Sequence, residues 1–166
     1  MTVVGMGTGR CGTQSLASLL GVPHQGHICD WDDVKTLDVD FLKENGGDVG
    51  SYYIRYVLLI NEQIENVKFV CLKRGKEETV KSFLENIVEN PFEKTFMPTY
   101  KEIESLEDRV EKYYDEYYRL AEFMEQKYEN FRVFSMEDLN NGEILKWLGR
   151  EEKEAEKITG TCEIFK

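Results

Sequence analysis

An apolar run, Val3-Val4-Gly5-Met6, passes without a break into Gly7-Thr8-Gly9-Arg10-Cys11-Gly12-Thr13-Gln14-Ser15, and Leu16, Leu19 and Leu20 follow at helical spacing. A strand that feeds through a glycine-rich loop straight into a helix constrains the fold more than any other feature of the chain. Such a unit needs a parallel partner strand and a sheet face on which to lay its helix. Glycines at 5, 7, 9 and 12 let the backbone come close to an anion, and the helix N-terminus carries partial positive charge. The loop therefore reads as a cradle for a phosphate-type group, the alternative being a plain turn between strand and helix.

The frame Gly7 to Thr13 comes close to the nucleoside-triphosphate loop, which is a glycine, four residues, then Gly-Lys-Ser/Thr. Here Thr13 stands at the lysine position and Gln14 at that of the magnesium-binding hydroxyl. The cation has moved to Arg10, two residues before Gly12, from where it can reach back over the cradle. The expectation is a phosphate-type loop that does not perform ordinary ATP chemistry.

Further along, strand and helix patterns alternate. The pattern predicts strands at Thr2 to Met6, Val67 to Leu72 and Phe131 to Ser135, with Val22 to His27 and Asp48 to Tyr53 as short strands or extended turns. Helices are predicted over Gln14 to Leu20, Ile54 to Ile64, Glu77 to Val88, Ile103 to Tyr128 and Gly142 to Leu148. A polar stretch, Asp30 to Asn45, spaces Trp31, Val34, Leu37, Phe41 and Leu42 in helical fashion before Gly46-Gly47. The long segment aligns Val110, Tyr114, Tyr117, Ala121 and Met124 on one face. Alternation of this kind implies an α/β fold of three layers, a P-loop-type architecture with a central parallel sheet flanked by helices. At 166 residues the chain is expected to form one domain, 1–166.

Charge narrows the function. With 21 Lys and Arg against 32 Asp and Glu, the formal net charge is -11, which argues against nucleic acid or an anionic membrane surface as a partner. Behind residue 100 there are 18 acidic against 11 basic residues, so an anion site is expected within the first hundred. No stretch approaches the roughly 18 to 20 apolar residues of a membrane span. Met1 leads directly into a strand rather than a secretion leader. Cys11, Cys29, Cys71 and Cys162 show no paired metal-ligand spacing, and a reduced, cytoplasmic setting is the simplest reading, with a Cys29–Cys162 disulfide left open.

The strand ending Leu72-Lys73-Arg74-Gly75 closes in cations where a triphosphate hydrolase commonly has a magnesium aspartate. In an open parallel sheet ligands bind at the carboxyl ends of the strands, so Arg74 is expected to face the crevice that holds the Gly7 to Thr13 loop. Ser82, eight residues on, could share an anion with that guanidinium while the loop holds a second group. Together these features fit a nucleotide bearing anions at two ends.

These segments resemble the signatures of the sulfotransferases that use 3′-phosphoadenylyl sulfate, in particular their small bacterial and phage-like type. The first, a glycine and a basic residue, then Ser-Gly-Thr-Thr/Ser and a helix, is similar to Gly9-Arg10-Cys11-Gly12-Thr13-Gln14-Ser15-Leu16. By that resemblance the loop binds the 5′ phosphosulfate. The second, a strand ending in arginine with a serine eight residues later, is similar to Phe69 through Arg74 and Val80-Lys81-Ser82, and implies a contact to the 3′ phosphate. Phe134-Ser135-Met136-Glu137-Asp138-Leu139 with Leu145-Lys146-Trp147-Leu148-Gly149 resembles the family's closing strand and helix, so the resemblance spans about residues 2 to 149. Cys11 stands at the usual serine and Gln14 at the usual threonine or serine. Valine occupies the lysine position of the Glu-Lys pair that many relatives carry near Asp48 to Tyr53, and the late Arg-Lys-Gly contact is not evident.

The resemblance implies in-line transfer of a sulfuryl group from 3′-phosphoadenylyl sulfate to a hydroxyl or amine of a small acceptor, leaving adenosine 3′,5′-bisphosphate, with no metal expected. Arg10 and the loop amides would stabilise the leaving phosphate, while Arg74 and Ser82 anchor the nucleotide. The base is sought among His24 and His27, the chain's two histidines, with Asp48 as a third candidate. Small bacterial-type members often carry a histidine followed by glutamate here, which His24-Gln25 resembles. Tyr113, Tyr114, Tyr117 and Tyr118 could form an acceptor pocket or belong to the core, and Phe92, Phe96 and Met97 are lid candidates. Two other readings stay open: a P-loop kinase or nucleotide hydrolase, and a non-catalytic relative that binds nucleotide or a protein.

Overall fold

The computed structural model describes residues 1–26, 37–86, 103 and 105–150. The expectations for His27, Trp31, Val34, Cys29, Cys162 and the lid residues Phe92, Phe96 and Met97 lie outside the described residues. Four strands, β1 (Thr2–Met6), β2 (Gly47–Val49), β3 (Val67–Lys73) and β4 (Phe131–Ser135), form one all-parallel sheet in the order β2-β1-β3-β4. Six α-helices are described: α1 (Thr13–Leu20), α2 (Val39–Glu44), α3 (Val57–Gln63), α4 (Lys76–Asn86), α5 (Leu106–Lys127) and α6 (Glu143–Leu148).

Strand side chains point alternately to opposite faces, and each face here has its own core. Val3, Val70, Leu72 and Phe134 bury against Leu16, Ala17 and Leu20 of α1 and Ile144 and Leu148 of α6. Val4, Met6, Phe69, Cys71 and Phe131 face the other way, against Ile60 of α3, Val80 and Phe83 of α4, and the tyrosines of α5. β1 is buried at every position and β3 at five of its seven, because both faces of these central strands are covered. The fold is thus a three-layer α/β arrangement, helices on both sides of the sheet.

Local signals bound several of the helices. Ser105 caps α5 by accepting from the Asp108 amide at 3.3 Å, and Asp38 caps α2 by accepting from Phe41 at 2.9 Å. Gly21 and Gly149, both left-handed, close α1 and α6.

Two expectations are corrected. The helix predicted over Ile54 to Ile64 is divided into a 3-10 turn, Ser51–Arg55, and α3, which begins at Val57. Gly46-Gly47, expected only to stop a helix, includes the first residue of β2: Gly47 has φ 138° and lies on the backbone of Val3, where a side chain would collide with the Val3 carbonyl. Only glycine allows the two strands to pair there.

The order places β1 between β2 and β3. The chain leaves β1 toward one side and returns to the other, which makes the carboxyl ends of β1 and β3 a topological switch point.

Candidate functional site

The loop between β1 and α1 sits at that switch point. Gly9, Arg10 and Gly12 all have left-handed backbones, with φ of 80°, 53° and 86°. At Gly12 this conformation coincides with close packing, since a Cβ would stand 2.7 Å from Met136 Cε. Arg10 holds the conformation without being glycine, at a cost of about 1 to 2 kcal/mol. The tight winding turns alternate side chains in opposite senses: Cys11 is fully buried beneath the loop, and Arg10 is exposed above it. Burial pushes the Cys11 thiol up, so it stays neutral and its side chain is not presented to a ligand. Cys11 thus serves packing under the loop.

Gly12, Thr13, Gln14 and Ser15 line a cleft of about 460 Å³ together with Gly9, Arg10, His24, Gln25, Arg74, Ser82, Phe83 and Asn86. No side chain caps α1, and its first turn holds no acidic residue. The partial positive charge of the helix start is thus directed at the cleft without an internal counter-charge.

Three residues far apart in sequence meet over the loop. Arg10 Nε donates to Ser82 Oγ at 3.2 Å, and Arg74 Nη1 donates to the carbonyl of Arg10 at 3.2 Å. Arg74 Nε is also held by Glu78 Oε2 at 3.0 Å, one helical turn into α4. Arg10 has no carboxylate partner among the described residues. The neighbouring lysines do: Lys73 pairs with Glu122 at 2.8 Å, and Lys76 with Asp115 at 2.9 Å and Glu111 at 3.1 Å. The Arg10–Ser82 hydrogen bond brings the loop into direct contact with the helix that carries Ser82.

His24 reaches the same cleft from the far side of the loop. Its backbone bridges Val49 at the outer edge of β2, and its Nε2 lies 3.0 Å from Thr13 Oγ1. Burial lowers the affinity of the imidazole for a proton, against an opposing pull from the charge of Asp48, so the ring is neutral at pH 7. Asp48 does not share this access. It is fully buried, accepting from Tyr53 at 2.7 Å, from the Gly26 amide at 3.2 Å and from Tyr52 at 3.5 Å. A carboxylate committed in this way anchors the edge of the sheet and is not placed to take a proton from a substrate.

Four tyrosines of α5 belong to the core on one face of the sheet. Tyr113, Tyr114, Tyr117 and Tyr118 are all buried, which overturns the acceptor-pocket alternative. Each hydroxyl donates to a backbone carbonyl near a strand end: Tyr113 to Thr8 at 3.1 Å, Tyr114 to Arg74 at 2.6 Å, Tyr117 to Ser51 at 2.9 Å and Tyr118 to Leu72 at 2.7 Å. Helical spacing left these rings open between core and acceptor pocket, and it carries no signal for where their hydroxyls bond.

A larger hollow of about 630 Å³ lies between α4 and α5. Lys76 pairs there with Glu111 and Lys81 with Glu85, and among the described residues its lining holds no histidine and no unpaired cation. Among the described residues no group of three or more metal-binding side chains is present, and no helix is long and apolar enough to cross a membrane.

The fold and the cleft define an α/β protein with a polar, cationic crevice at its switch point. No known protein family matches the chain, and no curated protein matches it.

Proposed function

We propose that this chain is a sulfotransferase, moving a sulfuryl group from 3′-phosphoadenylyl sulfate to a hydroxyl or amine of a small acceptor. The observation that carries the reading is the convergence of Arg10, Arg74 and Ser82, from three separate segments, on the cleft lined by the start of α1. Two guanidiniums and an uncapped helix N-terminus suit a ligand with several anionic groups.

In this reading the S–O bond to the acceptor forms as the S–O bond to the 5′ phosphate breaks. The negative charge that develops on the leaving phosphate is met by Arg10 and the α1 N-terminus. Arg74 and Ser82 hold the 3′ phosphate. The acceptor's proton passes to His24, which is neutral and therefore able to receive it. The two buried free thiols, Cys11 and Cys71, suit the cytoplasmic setting that belongs to the same reading.

Calorimetric titration with adenosine 3′,5′-bisphosphate tests the proposal, with ATP plus magnesium for comparison and Arg74→Ala as the control. Binding of the bisphosphate that Arg74→Ala weakens by about 10 to 100 fold, with ATP weak, is the expected result. Tight ATP binding, or binding of neither nucleotide, would overturn it.

A further inference from the structure

We propose that Tyr113 and Tyr114 are positioning residues that set the spacing between the glycine-rich loop and Arg74. The two are consecutive on α5, and their hydroxyls hold the two halves of the cleft separately: Tyr113 takes the carbonyl of Thr8, in the loop after β1, and Tyr114 takes the carbonyl of Arg74, after β3. One step along one helix therefore fixes how far the first segment stands from the second.

The helix is well suited to act as a ruler. At 22 residues it is the longest described element, and its tyrosines brace one another, with ring centroids 5.7 Å apart for Tyr113 and Tyr117 and 4.6 Å for Tyr114 and Tyr118. Edge-on contacts of this kind lock the rings in place, so each hydroxyl has little freedom. Burial keeps the Tyr114 hydroxyl protonated, so it remains a donor throughout the ordinary pH range. On either side of Arg74, Lys73 and Lys76 are tied to carboxylates of the same helix. The Arg74 corner is thus held to α5 at three points, and the hydroxyl is the least exposed of them.

A hydroxyl that acts only on the core would affect stability alone. A hydroxyl that positions Arg74 must also affect the guanidinium, because Arg74 reaches both the Arg10 carbonyl and Glu78 from a backbone that Tyr114 holds. This inference rests on the anion-site reading only for its binding consequence; the positional claim concerns the free protein.

The test compares Tyr114→Phe with Tyr117→Phe. Each removes one hydroxyl from a carbonyl and leaves the ring, but the Tyr117 bond goes to Ser51, which bonds to neither arginine among the described residues. In ligand-free, nitrogen-15-labelled protein, the Nε–H resonance of Arg74, assigned with Arg74→Lys, is expected to shift toward the position of free arginine in Tyr114→Phe and to stay in place in Tyr117→Phe. Tyr113→Phe is expected to move the Arg10 resonance instead, and decides the matter should Tyr114→Phe fail to fold. An unmoved Arg74 signal in Tyr114→Phe, or an equal movement in both hydroxyl variants, would overturn the proposal. Titration with adenosine 3′,5′-bisphosphate should then show affinity about 10 fold weaker in Tyr114→Phe and nearly unchanged in Tyr117→Phe. If the parent protein binds no bisphosphate, the sulfotransferase reading fails, and the resonances still decide the positional claim.

Discussion

Arg10 and Ser82, 72 positions apart in the chain, are joined side chain to side chain by a 3.2 Å hydrogen bond across the mouth of the cleft. Through this bond the loop after β1 and the helix after β3 share one cationic centre. Its consequence is that Ser82 sets where the Arg10 guanidinium points, whatever else the serine touches.

Ser82→Ala should therefore weaken binding of adenosine 3′,5′-bisphosphate by about 3 to 10 fold, the worth of one modest hydrogen bond. Because the bond is exposed, unfolding free energy should change by no more than about 0.5 kcal/mol. Calorimetric binding together with denaturant titration separates the two effects. An unaltered affinity would mean that Arg10 finds its position without the serine.

His24 carries a pH dependence of defined sign. Its imidazole takes a proton less readily in the folded chain than at its ordinary value of 6.5, chiefly through burial. Between the two values the unfolded chain binds more protons, so the contribution to stability is complete above pH 6.5 and is lost as pH falls through the folded value. His24→Gln should lose less stability than the parent between about pH 7 and about pH 5. Denaturant midpoints measured across that interval test this, and parallel curves for the two proteins would contradict it.

Gly12→Ala combines two penalties, a left-handed φ of 86° and a Cβ 2.7 Å from Met136 Cε. The expected loss of stability is about 1 to 2 kcal/mol, most of it from the backbone, since Met136 Cε is the mobile end of its side chain. Adding Met136→Ala should recover the packing share and leave the backbone share. Thermal unfolding of the single and double variants provides the measurement, and full recovery in the double variant would show that the backbone conformation costs nothing.

Ser51 Oγ is buried and has no hydrogen-bond partner among the described residues, while the carbonyl of the same residue is taken by Tyr117. An orphaned hydroxyl of this kind costs about 1 to 3 kcal/mol in desolvation. Ser51→Ala should consequently leave the melting temperature unchanged or raise it. A clear decrease in calorimetry would show that the hydroxyl contributes to stability.

Much of the fold was legible because its signals are local. β1 and β4 occupy the stretches that their apolar residues mark, and α1 follows the glycine loop at the expected place. The amphipathic period of the long helix was read two or three residues too generously at its start, where the Ser105 cap fixes the first turn. Local pattern was insufficient where a neighbour decided the outcome. The 3-10 turn over Ser51–Arg55 and the strand role of Gly47 both depend on what β1 and α5 place beside them.

By itself, the sequence determined a parallel α/β sheet, a glycine loop opening onto a helix N-terminus, and a strand that ends in cations. These follow from periodicity, glycine placement and charge, all of which act over a few residues. Only the tertiary structure decided which cations stay available. It tied Lys73 and Lys76 to α5, brought Arg10 onto Ser82, and left His24 half-buried beside Thr13. It also withdrew Asp48 and Cys11 from the cleft by burying them. The physical reason is that hydrogen bonds and burial depend on atoms brought together by packing across the sheet, and no spacing along the chain records which pairs will meet.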